Sequence, residues 1–399
     1  MRVMFLNAIG ELGGAERSLI DMLASIRRAQ PSWALHLVIG ASGPLLDQAA
    51  SLGVATTVLP LGKALSGLGE FGSGRVRLAA RLALAAGPVA AYIGRLRDAS
   101  RSFRPDILHT NSLKMHLLGA WASPPGAALV WHLHDYVGTR PLTARLLRWN
   151  VRRPAAIVTN SRSVADDVRD VLGAAVPIVP VHNGVDLQRF SISGPRLNLD
   201  RSAGLPPVAA GVVRVGLLGT FSVWKGHTTF LDAIARVPRD LNVRAYIIGG
   251  PLYQTSGSQH TLDYLRGYAD ALGLAGRVGF TGFVPSPEEA LRALDIVVHA
   301  STAPEPFGLV IAEAMACGRA VIASDAGGAR EIFTAGVDAL SHTPGDVDHL
   351  AARIVELVRD PEARVRLGRA GRLTAERRFD RARLATDLVP VYRSATVRS

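Results

Sequence analysis

Residues 300–331 read ASTAPEPFGLVIAEAMACGRAVIASDAGGARE, and the architecture of the chain follows from them. The apolar residues 296–298 predict a buried strand, which two prolines then interrupt with a loop. The apolar run 309–317 has the length of a helix, and Gly318 stands where helices commonly end. Residues 320–323 predict a second short strand. A strand, a helix and a strand in this order indicate a parallel sheet with both faces covered.

Three carboxylates interrupt this stretch, at Glu305, Glu313 and Glu331. Glu305 precedes the helix. Glu313 lies in its middle among apolar neighbours, so we expect its carboxylate to be at least partly buried, which requires hydrogen-bond donors. Few protein donors are evident nearby, which favours ligand hydroxyls as partners. The start of the helix and the Gly327-Gly328 turn offer backbone N–H groups to an anion. The alternatives are that Glu305 complements a helix dipole and that Glu313 faces solvent.

The spacing of these groups resembles a motif of retaining GT-B glycosyltransferases of family GT4 (glycosyl transferases group 1). The E-x7-E motif of that family corresponds to Glu305 and Glu313, and its GG-x-x-E motif corresponds to residues 327–331. The resemblance implies a GT-B fold, an α/β architecture in which two Rossmann-like domains with parallel sheets face an interdomain cleft. It also implies a nucleotide-sugar donor on the second domain and an acceptor on the first.

The length and composition of the chain agree with a two-domain globular protein. A chain of 399 residues exceeds one ordinary core, and 48% hydrophobic with 20% charged residues argues against disorder. The single cysteine, Cys317, excludes an intramolecular disulfide and fits a reducing compartment, so we expect a cytoplasmic location. The chain start does not resemble a signal peptide. The apolar run 82–94, about 13 residues, is too short to cross a bilayer.

The net charge of +12 is concentrated in the first half of the chain. Residues 1–190 carry 21 Lys/Arg and 12 Asp/Glu, a balance of +9, and residues 191–399 carry 24 and 21, a balance of +3. Seven arginines lie between Arg75 and Arg104, interleaved with apolar residues, and five more lie in 140–153. We therefore predict peripheral docking on the anionic inner face of a membrane. The alternative is a helix that packs its apolar side inward and solvates its arginines. Aromatic residues at 6% disfavour nucleic acid as a partner.

Residues 1–190 predict the first α/β domain. A strand at 2–7 is followed by Gly13-Gly14-Ala15-Glu16, a glycine-rich turn that opens a helix and can hold phosphate. The glycine spacing is not G-x-G-x-x-G, so a nicotinamide site is disfavoured. The turn resembles the GG-x-E loop of GT4 enzymes, which lies beside the donor phosphate and the acceptor.

Polar residues end two later strands of the first domain. His109 and Asn111 close one strand, and His134-Asp135 closes the next. Ligands of open parallel sheets lie at such carboxyl ends. His134-Asp135 resembles the H-D element of the family, which favours a functional role for His134. For His109 a structural role is an equal alternative, and His132 is expected to be structural.

The second domain is predicted over residues 212–378, after a Pro- and Gly-containing linker at 191–211. A C-terminal helix at 379–399 is expected to pack back on the first domain. Residues 219–226 resemble G-R-x4-K-G, in which Arg and Lys hold the donor diphosphate; Lys225 matches and Thr220 replaces the arginine. A solvated lysine is the alternative for Lys225.

Three further stretches bear on the second domain. Gly249 ends a strand where the backbone can approach a ligand, and residues 278–284 resemble the family strand and loop that pack around the nucleotide base. Asp346 and Asp348 have D-x-D spacing, but their place at a helix start favours capping.

The resulting prediction is retaining transfer of a hexose from a UDP- or GDP-sugar to a glycan, lipid-linked or small-molecule hydroxyl, in polysaccharide biosynthesis among other roles. No cofactor or metal is expected, because lysine, helix N-termini and glycine loops would neutralise the leaving diphosphate. The alternatives are a sugar-nucleotide 2-epimerase of GT-B architecture and a non-catalytic nucleotide- or polyanion-binding protein. The catalytic residues implied are His134, Lys225 and Glu305. The donor-binding residues implied are Gly13, Gly14, Thr220, Lys225, Gly249, Phe283, Glu305, Phe307, Gly308, Leu309 and Glu313. The acceptor-binding residues implied are Glu16, His109, Asn111 and His134.

Overall fold

A computed structural model describes residues 1–62, 75–251 and 258–398, with the side chains of 75–85 and of residue 398 left undescribed. The chain forms two compact units. The first comprises Met1–Gly184 and Arg381–Ser399, and the second comprises Val185–Asp380. The described helices include none that is long and apolar enough to cross a membrane.

The described part of the first unit contains a seven-stranded parallel sheet with the strand order β3-β2-β1-β4-β5-β6-β7. The strands are β1 (Arg2–Asn7), β2 (Ala34–Ile39), β3 (Ala55–Val58), β4 (Ile107–Thr110), β5 (Ala128–Leu133), β6 (Ala156–Thr159) and β7 (Ile178–Pro180). The helices between them are α1 (Gly14–Ala29), α2 (Pro44–Ser51), α3 (Arg75–Phe103), α4 (Leu113–Ala122), α5 (Pro141–Asn150) and α6 (Arg162–Leu172).

The central strand β1 is continuously apolar because helices cover both faces of the sheet. Successive side chains of a strand point to opposite faces, so Val3 and Phe5 enter one core while Met4 and Leu6 enter the other. The carboxyl ends of β1, β4 and β5 are neighbours in the sheet. The polar residues that follow these strands are therefore brought together.

The described part of the second unit contains a six-stranded parallel sheet with the strand order β10-β9-β8-β11-β12-β13. The strands are β8 (Val213–Leu218), β9 (Val243–Ile248), β10 (Val278–Gly282), β11 (Ile296–His299), β12 (Ala320–Ser324) and β13 (Leu340–His342). The α-helices are α7 (Leu199–Ser202), α8 (His227–Arg236), α9 (Leu262–Ala271), α10 (Pro287–Ala293), α11 (Leu309–Ala316), α12 (Val347–Arg359) and α13 (Pro361–Arg378). Two short 3₁₀ helices are Val223–Lys225 and Gly328–Glu331.

The strand, helix and strand predicted from the opening stretch are present as β11, α11 and β12. Gly318, the expected helix terminator, has a φ of 66°. This left-handed conformation suits glycine, and it ends the helix directly before β12.

The segment 191–211, predicted as a linker, instead packs within the second unit. It contains α7, where Leu199 and Asp200 are buried. The carboxylate of Asp200 accepts a hydrogen bond of 2.6 Å from the Tyr246 hydroxyl of β9 and lies 3.3 Å from Arg244. Its prolines and glycines therefore mark irregular but anchored chain. The change of unit occurs earlier, between residues 184 and 185.

The C-terminal helix α14 (Arg383–Arg398) belongs to the first unit. Its buried face contributes Leu388 and Tyr392 to the core that also holds α1. Ser25 of α1 fixes the start of α14 through its hydroxyl, which accepts from the backbone N–H of Ala385 at 2.9 Å. Residues 379–380, predicted within this helix, remain in the second unit, where Phe379 O accepts from Val185 N.

Candidate functional site

The carboxyl ends of the adjacent strands β8 and β11 bring Lys225 and Glu305 together in the second unit. After β8 the chain turns at Gly226, where φ is 74° and an added Cβ would lie 1.9 Å from the carbonyl oxygen of Ala300. Only glycine allows so close an approach of the two loops. This explains why a glycine follows Lys225 in the sequence: Gly226 allows the close approach that places the lysine over the end of β11.

Lys225 and Glu305 form a bidentate ion pair. Lys225 Nζ lies 2.8 Å from each carboxylate oxygen of Glu305, which is only 6% exposed. Ser301 Oγ donates to Oε2 at 2.8 Å, and His299 Nε2 lies 3.1 Å from the same oxygen. Burial by itself opposes the negative charge, but Lys225 and His299 outweigh it and hold the pKa of Glu305 well below its usual range. The Lys225 ammonium also lies 4.1 Å from the centroid of the Trp224 ring.

These contacts alter two expectations from the sequence. The sequence showed few protein donors in this stretch, yet Glu305 has three, because the fold brings Lys225 to it from 80 residues away to join Ser301 and His299. Sequence reasoning missed His299 and Ser301 as its partners. The signal available was a pair of polar residues at alternate positions as the apolar strand β11 ends.

Glu313 lies inside the eight-residue helix α11 and is only 5% exposed. The alternative that it faces solvent therefore does not hold. Gly308 caps the helix with a φ of 96°, a left-handed conformation. The side chain of Phe307 is buried against Phe379, with ring centroids 5.9 Å apart, so a donor can reach this residue only through its backbone. Leu309 is half-buried at the first position of the helix.

The other donor-binding residues predicted in the second unit lie in the loops that follow β8, β9 and β10. Gly249 has a φ of 136°, and an added Cβ would lie 1.9 Å from Gly219 O, so the loops after β8 and β9 touch through backbone. Thr220 Oγ1 lies 3.2 Å from Ser222 Oγ, and Phe283 is 69% exposed after β10. An exposed aromatic ring beside glycine loops is suited to stacking on a flat ligand.

The glycine pair of the GG-x-x-E motif is attached directly to Glu305. Gly328 N donates to Glu305 O at 2.7 Å, and Gly327 forms a β-bridge with Glu305. Glu305 and the glycine pair of the second motif are therefore held together through their backbones.

The D-x-D pair has a capping role: Asp346 caps α12 by accepting from His349 N at 2.9 Å. Within the described ranges, no cluster of three or more His, Cys, Asp or Glu side chains is arranged to hold a metal ion.

The first unit gathers a second group of polar residues at the carboxyl ends of β1, β4 and β5. Gly13 is the N-cap of α1 and Gly14 begins the helix, with open space where a Cβ of Gly14 would be. Asn111 and Glu16 are buried, and His134 is partly buried. Asn7, which sequence reasoning did not single out, is fully buried among them. The signal was one amide ending an otherwise apolar strand.

His109 is placed differently from the prediction that it binds an acceptor. It is fully buried, and its Nδ1 lies 2.8 Å from the hydroxyl of Tyr392 in α14. Burial lowers the pKa of His109 to about 3, with a smaller effect of His134. The structural alternative therefore describes this residue, since no atom of it faces solvent. His132, expected to be structural, is also buried.

Two family models match consecutive parts of the chain. Residues 12–189 match the model described as Glycosyltransferase Family 4, and residues 213–374 match the model described as Glycosyl transferases group 1. The chain belongs to glycosyltransferase family 4. It is therefore a transferase of the GT-B fold, with one Rossmann-like domain in each unit.

Solved structures and curated relatives agree with this assignment. HepE of Anabaena in complex with UDP and glucose is 28% identical, with a TM-score of 0.80 over 99% of this chain and 100% of that chain. The D-inositol 3-phosphate glycosyltransferase 1 of Catenulispora acidiphila is 35% identical over 60% of this chain and 57% of its own length. The glycogen synthase of Mycobacterium tuberculosis is 28% identical over 74% of this chain and 70% of its own length.

Proposed function

We propose that this family-4 glycosyltransferase moves a hexose from a nucleoside diphosphate sugar, UDP-glucose being the first candidate and a GDP-sugar the second, to an acceptor hydroxyl with retention of configuration and without a metal ion. HepE, which resembles this chain over its full length, has been solved with UDP-glucose. That likeness supports a uridine nucleotide as the donor.

The observation that carries the proposal is the buried Lys225–Glu305 pair at the ends of β8 and β11. A carboxylate held ionised by a lysine can accept hydrogen bonds from sugar hydroxyls. The same lysine presents positive charge to a diphosphate. Glu313 is proposed to hold the ribose, and the backbone N–H groups at the start of α11 the phosphate. His134 is proposed to contact the reacting sugar or the acceptor.

The proposed reaction needs no protein nucleophile. The acceptor oxygen forms its bond to the anomeric carbon on the face from which the diphosphate departs. The bond between that carbon and the phosphate oxygen breaks, and its electron pair stays on the phosphate. The acceptor proton passes to the departing phosphate oxygen. Lys225 stabilises the charge that develops there, which is where a preorganised cation contributes most to the rate.

A calorimetric titration with UDP tests the nucleotide site. Wild-type protein is expected to bind UDP, and Glu313→Gln is expected to weaken binding by about 1–3 kcal/mol, the effect of losing a charged hydrogen-bond partner. The matched control is Glu356→Gln, an exposed glutamate in the last turn of α12 of the same unit. Equal affinity of the Glu313 variant and wild type would contradict the ribose assignment.

Among the described residues, the proposed contact with an anionic membrane is supported by α5 and the turn that follows it. We call this surface the α5 patch and define its residues below. The described arginines of α3 have partners within the unit. Arg95 and Arg97 donate to the backbone carbonyls of Pro60 and Trp121, and Arg101 pairs with Asp98 of the same helix. The side chains of 75–85 lie outside the described residues. The α5 patch consists of Arg145, Arg148, Trp149 and Arg152.

The α5 patch has the chemistry of a membrane-surface contact. Trp149 is 73% exposed, and the Arg145 guanidinium lies 5.5 Å from its ring centroid. Arg148 and Arg152 are exposed, and among the described residues they have no ion-pair partner. Spacings of three and four residues place Arg145, Arg148 and Trp149 on one face of α5, and Arg152 follows in the turn after the helix. An amphipathic Trp among arginines suits the headgroup region of an anionic bilayer.

Cosedimentation with vesicles tests the α5 patch. Wild type is expected to bind phosphatidylglycerol vesicles more strongly than phosphatidylcholine vesicles and to be released by 1 M salt, where screening shortens to about 3 Å. Arg148→Glu is expected to weaken binding, because each basic residue near such a surface contributes about 1 kcal/mol. Arg266→Glu, an exposed change in α9, serves as the charge-matched control. Equal binding of both variants, or salt-insensitive binding, would contradict the proposal.

A further inference from the structure

Four polar side chains of the first unit form an uninterrupted series of hydrogen bonds, which we call the Glu16–His134 relay. Asn7 Nδ2 donates to Glu16 Oε1 at 3.2 Å. Asn111 Nδ2 donates to Asn7 Oδ1 at 3.1 Å. His134 Nε2 lies 2.8 Å from Asn111 Oδ1. Three of the four residues are buried, so water does not compete for these bonds.

A second acceptor fixes the direction of each amide in the relay. Asn7 Nδ2 also donates to Ile9 O at 2.7 Å, and Asn111 Nδ2 lies 3.4 Å from Ala15 O. Turning either amide over would place its oxygen against two other oxygens and leave buried groups unsatisfied. The oxygen of Asn111 therefore faces the ring of His134.

Glu16 begins the relay because a carboxylate only accepts hydrogen bonds. It lies in the first turn of α1. Burial raises the pKa of Glu16, and the hydrogen bonds from the Asn7 amide and the backbone N–H groups of Glu16 and Gly13 offset only part of that rise. One carboxylate thus serves both the start of the helix and the amide of Asn7.

The relay determines the tautomer of His134. Burial lowers the pKa of His134 to about 4, so near neutral pH the ring carries one N–H. With an oxygen of Asn111 opposite Nε2, that proton lies on Nε2 and the lone pair on Nδ1. Nδ1 has no hydrogen-bond partner among the described residues. His134 can therefore accept, and not donate, a hydrogen bond at Nδ1.

We infer that Glu16 is a positioning residue: through Asn7 and Asn111 it holds His134 in the Nε2–H tautomer and in one ring orientation, rather than binding an acceptor itself. The inference assigns Asn111 the same indirect role, in place of the acceptor contact predicted from the sequence. Its kinetic consequence rests on the proposed transferase function, but the tautomer is a property of the protein alone.

The test is ¹⁵N NMR of histidine-labelled protein at neutral pH without substrate, with the His134 signals assigned by comparison with His134→Gln. Wild type is expected to show His134 protonated at Nε2 and unprotonated at Nδ1. A wild-type ring protonated at Nδ1 would overturn the inference. If the expected tautomer is seen but no donor is turned over, the relay stands and the proposed function fails.

The variant that tests the role of Glu16 is Glu16→Gln. The glutamine oxygen is expected to stay with the first-turn N–H groups of α1, which turns its NH₂ toward Asn7. That NH₂ then opposes Asn7 Nδ2, donor against donor, and only Ile9 O and Ala15 O still hold the two amides. The Nε2–H tautomer of His134 is therefore expected to lose its exclusive population, with a measurable fraction of rings carrying the proton on Nδ1. With a donor and acceptor in hand, we expect kcat to fall about tenfold, equivalent to about 1.4 kcal/mol, with little change in donor KM.

Glu11→Gln is the matched control, because Glu11 is exposed in the loop just before α1 and its substitution removes the same charge. It is expected to leave the tautomer and kcat unchanged. A His134 ring that stays wholly in the Nε2–H tautomer in Glu16→Gln, as in wild type, would overturn the inference. Should that variant not fold, Asn111→Leu cuts the relay beside the ring and leaves the start of α1 intact. Its Nε2–H is expected to lose its protection from solvent exchange, and retained protection would also overturn the inference.

Discussion

Lys225→Met is expected to lower donor turnover by about 10²–10³-fold, the loss seen when one preorganised group that stabilises developing charge is removed. It is also expected to destabilise the second unit by about 3 kcal/mol, since Glu305 would then be a buried carboxylate without its cation. The two losses have different causes. They can therefore be separated with a second substitution.

The separating variant is Lys225→Met combined with Glu305→Gln. Removing both charges removes the uncompensated carboxylate, and Ser301 can still donate to the amide oxygen. We expect this double variant to regain most of the lost stability in urea denaturation and to remain inactive. Recovery of activity together with stability would show that Lys225 acts only as a structural partner of Glu305. Near-wild-type turnover in the single variant would contradict the proposed role of Lys225.

The first unit is expected to lose stability steeply between pH 7.5 and 5. Burial lowers the pKa of His109 to about 3 and that of His134 to about 4, and it holds the pKa values of His116 and His132 well below the ordinary range. In the unfolded chain these groups titrate near the ordinary value of about 6.5. Below that pH the histidines of the unfolded state therefore bind protons, whereas those of the folded state stay neutral.

The sign and size of this effect follow from proton linkage. Stability is fully present above the unfolded pKa and decreases as the pH falls toward the folded values, by about 2 kcal/mol per histidine at pH 5. His132→Leu is expected to remove one such contribution, because neither ring nitrogen of His132 has a hydrogen-bond partner among the described residues. Urea denaturation of wild type and variant at both pH values measures it. His349→Leu, outside this cluster, is the control, and an equally steep loss in His132→Leu would contradict the account.

The strands and helices of the opening stretch could be predicted because local patterns determine them. Apolar runs of strand and helix length, with glycine at the boundary, predicted β11, α11 and β12. The prediction of a linker at 191–211 was wrong because of a non-local contact: the Asp200 carboxylate accepts a hydrogen bond from Tyr246, 46 residues later in the chain. Proline and glycine content does not reveal such a partner.

In the candidate site too, local patterns were predictable from the sequence and non-local contacts were not. Motif spacing predicts Lys225, Glu305 and Glu313 as donor-site residues, because each lies at a fixed position after a strand or in a helix, and the structure places Lys225 against Glu305. The partners of Glu305 were missed, since His299 and Ser301 reach it only when β8 and β11 lie side by side. His109 was predicted to face a ligand at a strand end, but it is buried. The helix that covers it, α14, comes from the far end of the chain, which the local sequence does not reveal.

The central claim is retaining transfer without a metal ion, and the stereochemistry of donor cleavage tests it most directly. UDP-α-glucose is incubated with the protein in excess chelator, and ¹H NMR records the first glucose released to water before mutarotation equilibrates it. The account predicts that α-glucose appears first, at a rate that the chelator does not change. Release of β-glucose first, or release only after Mg²⁺ is added, would contradict it.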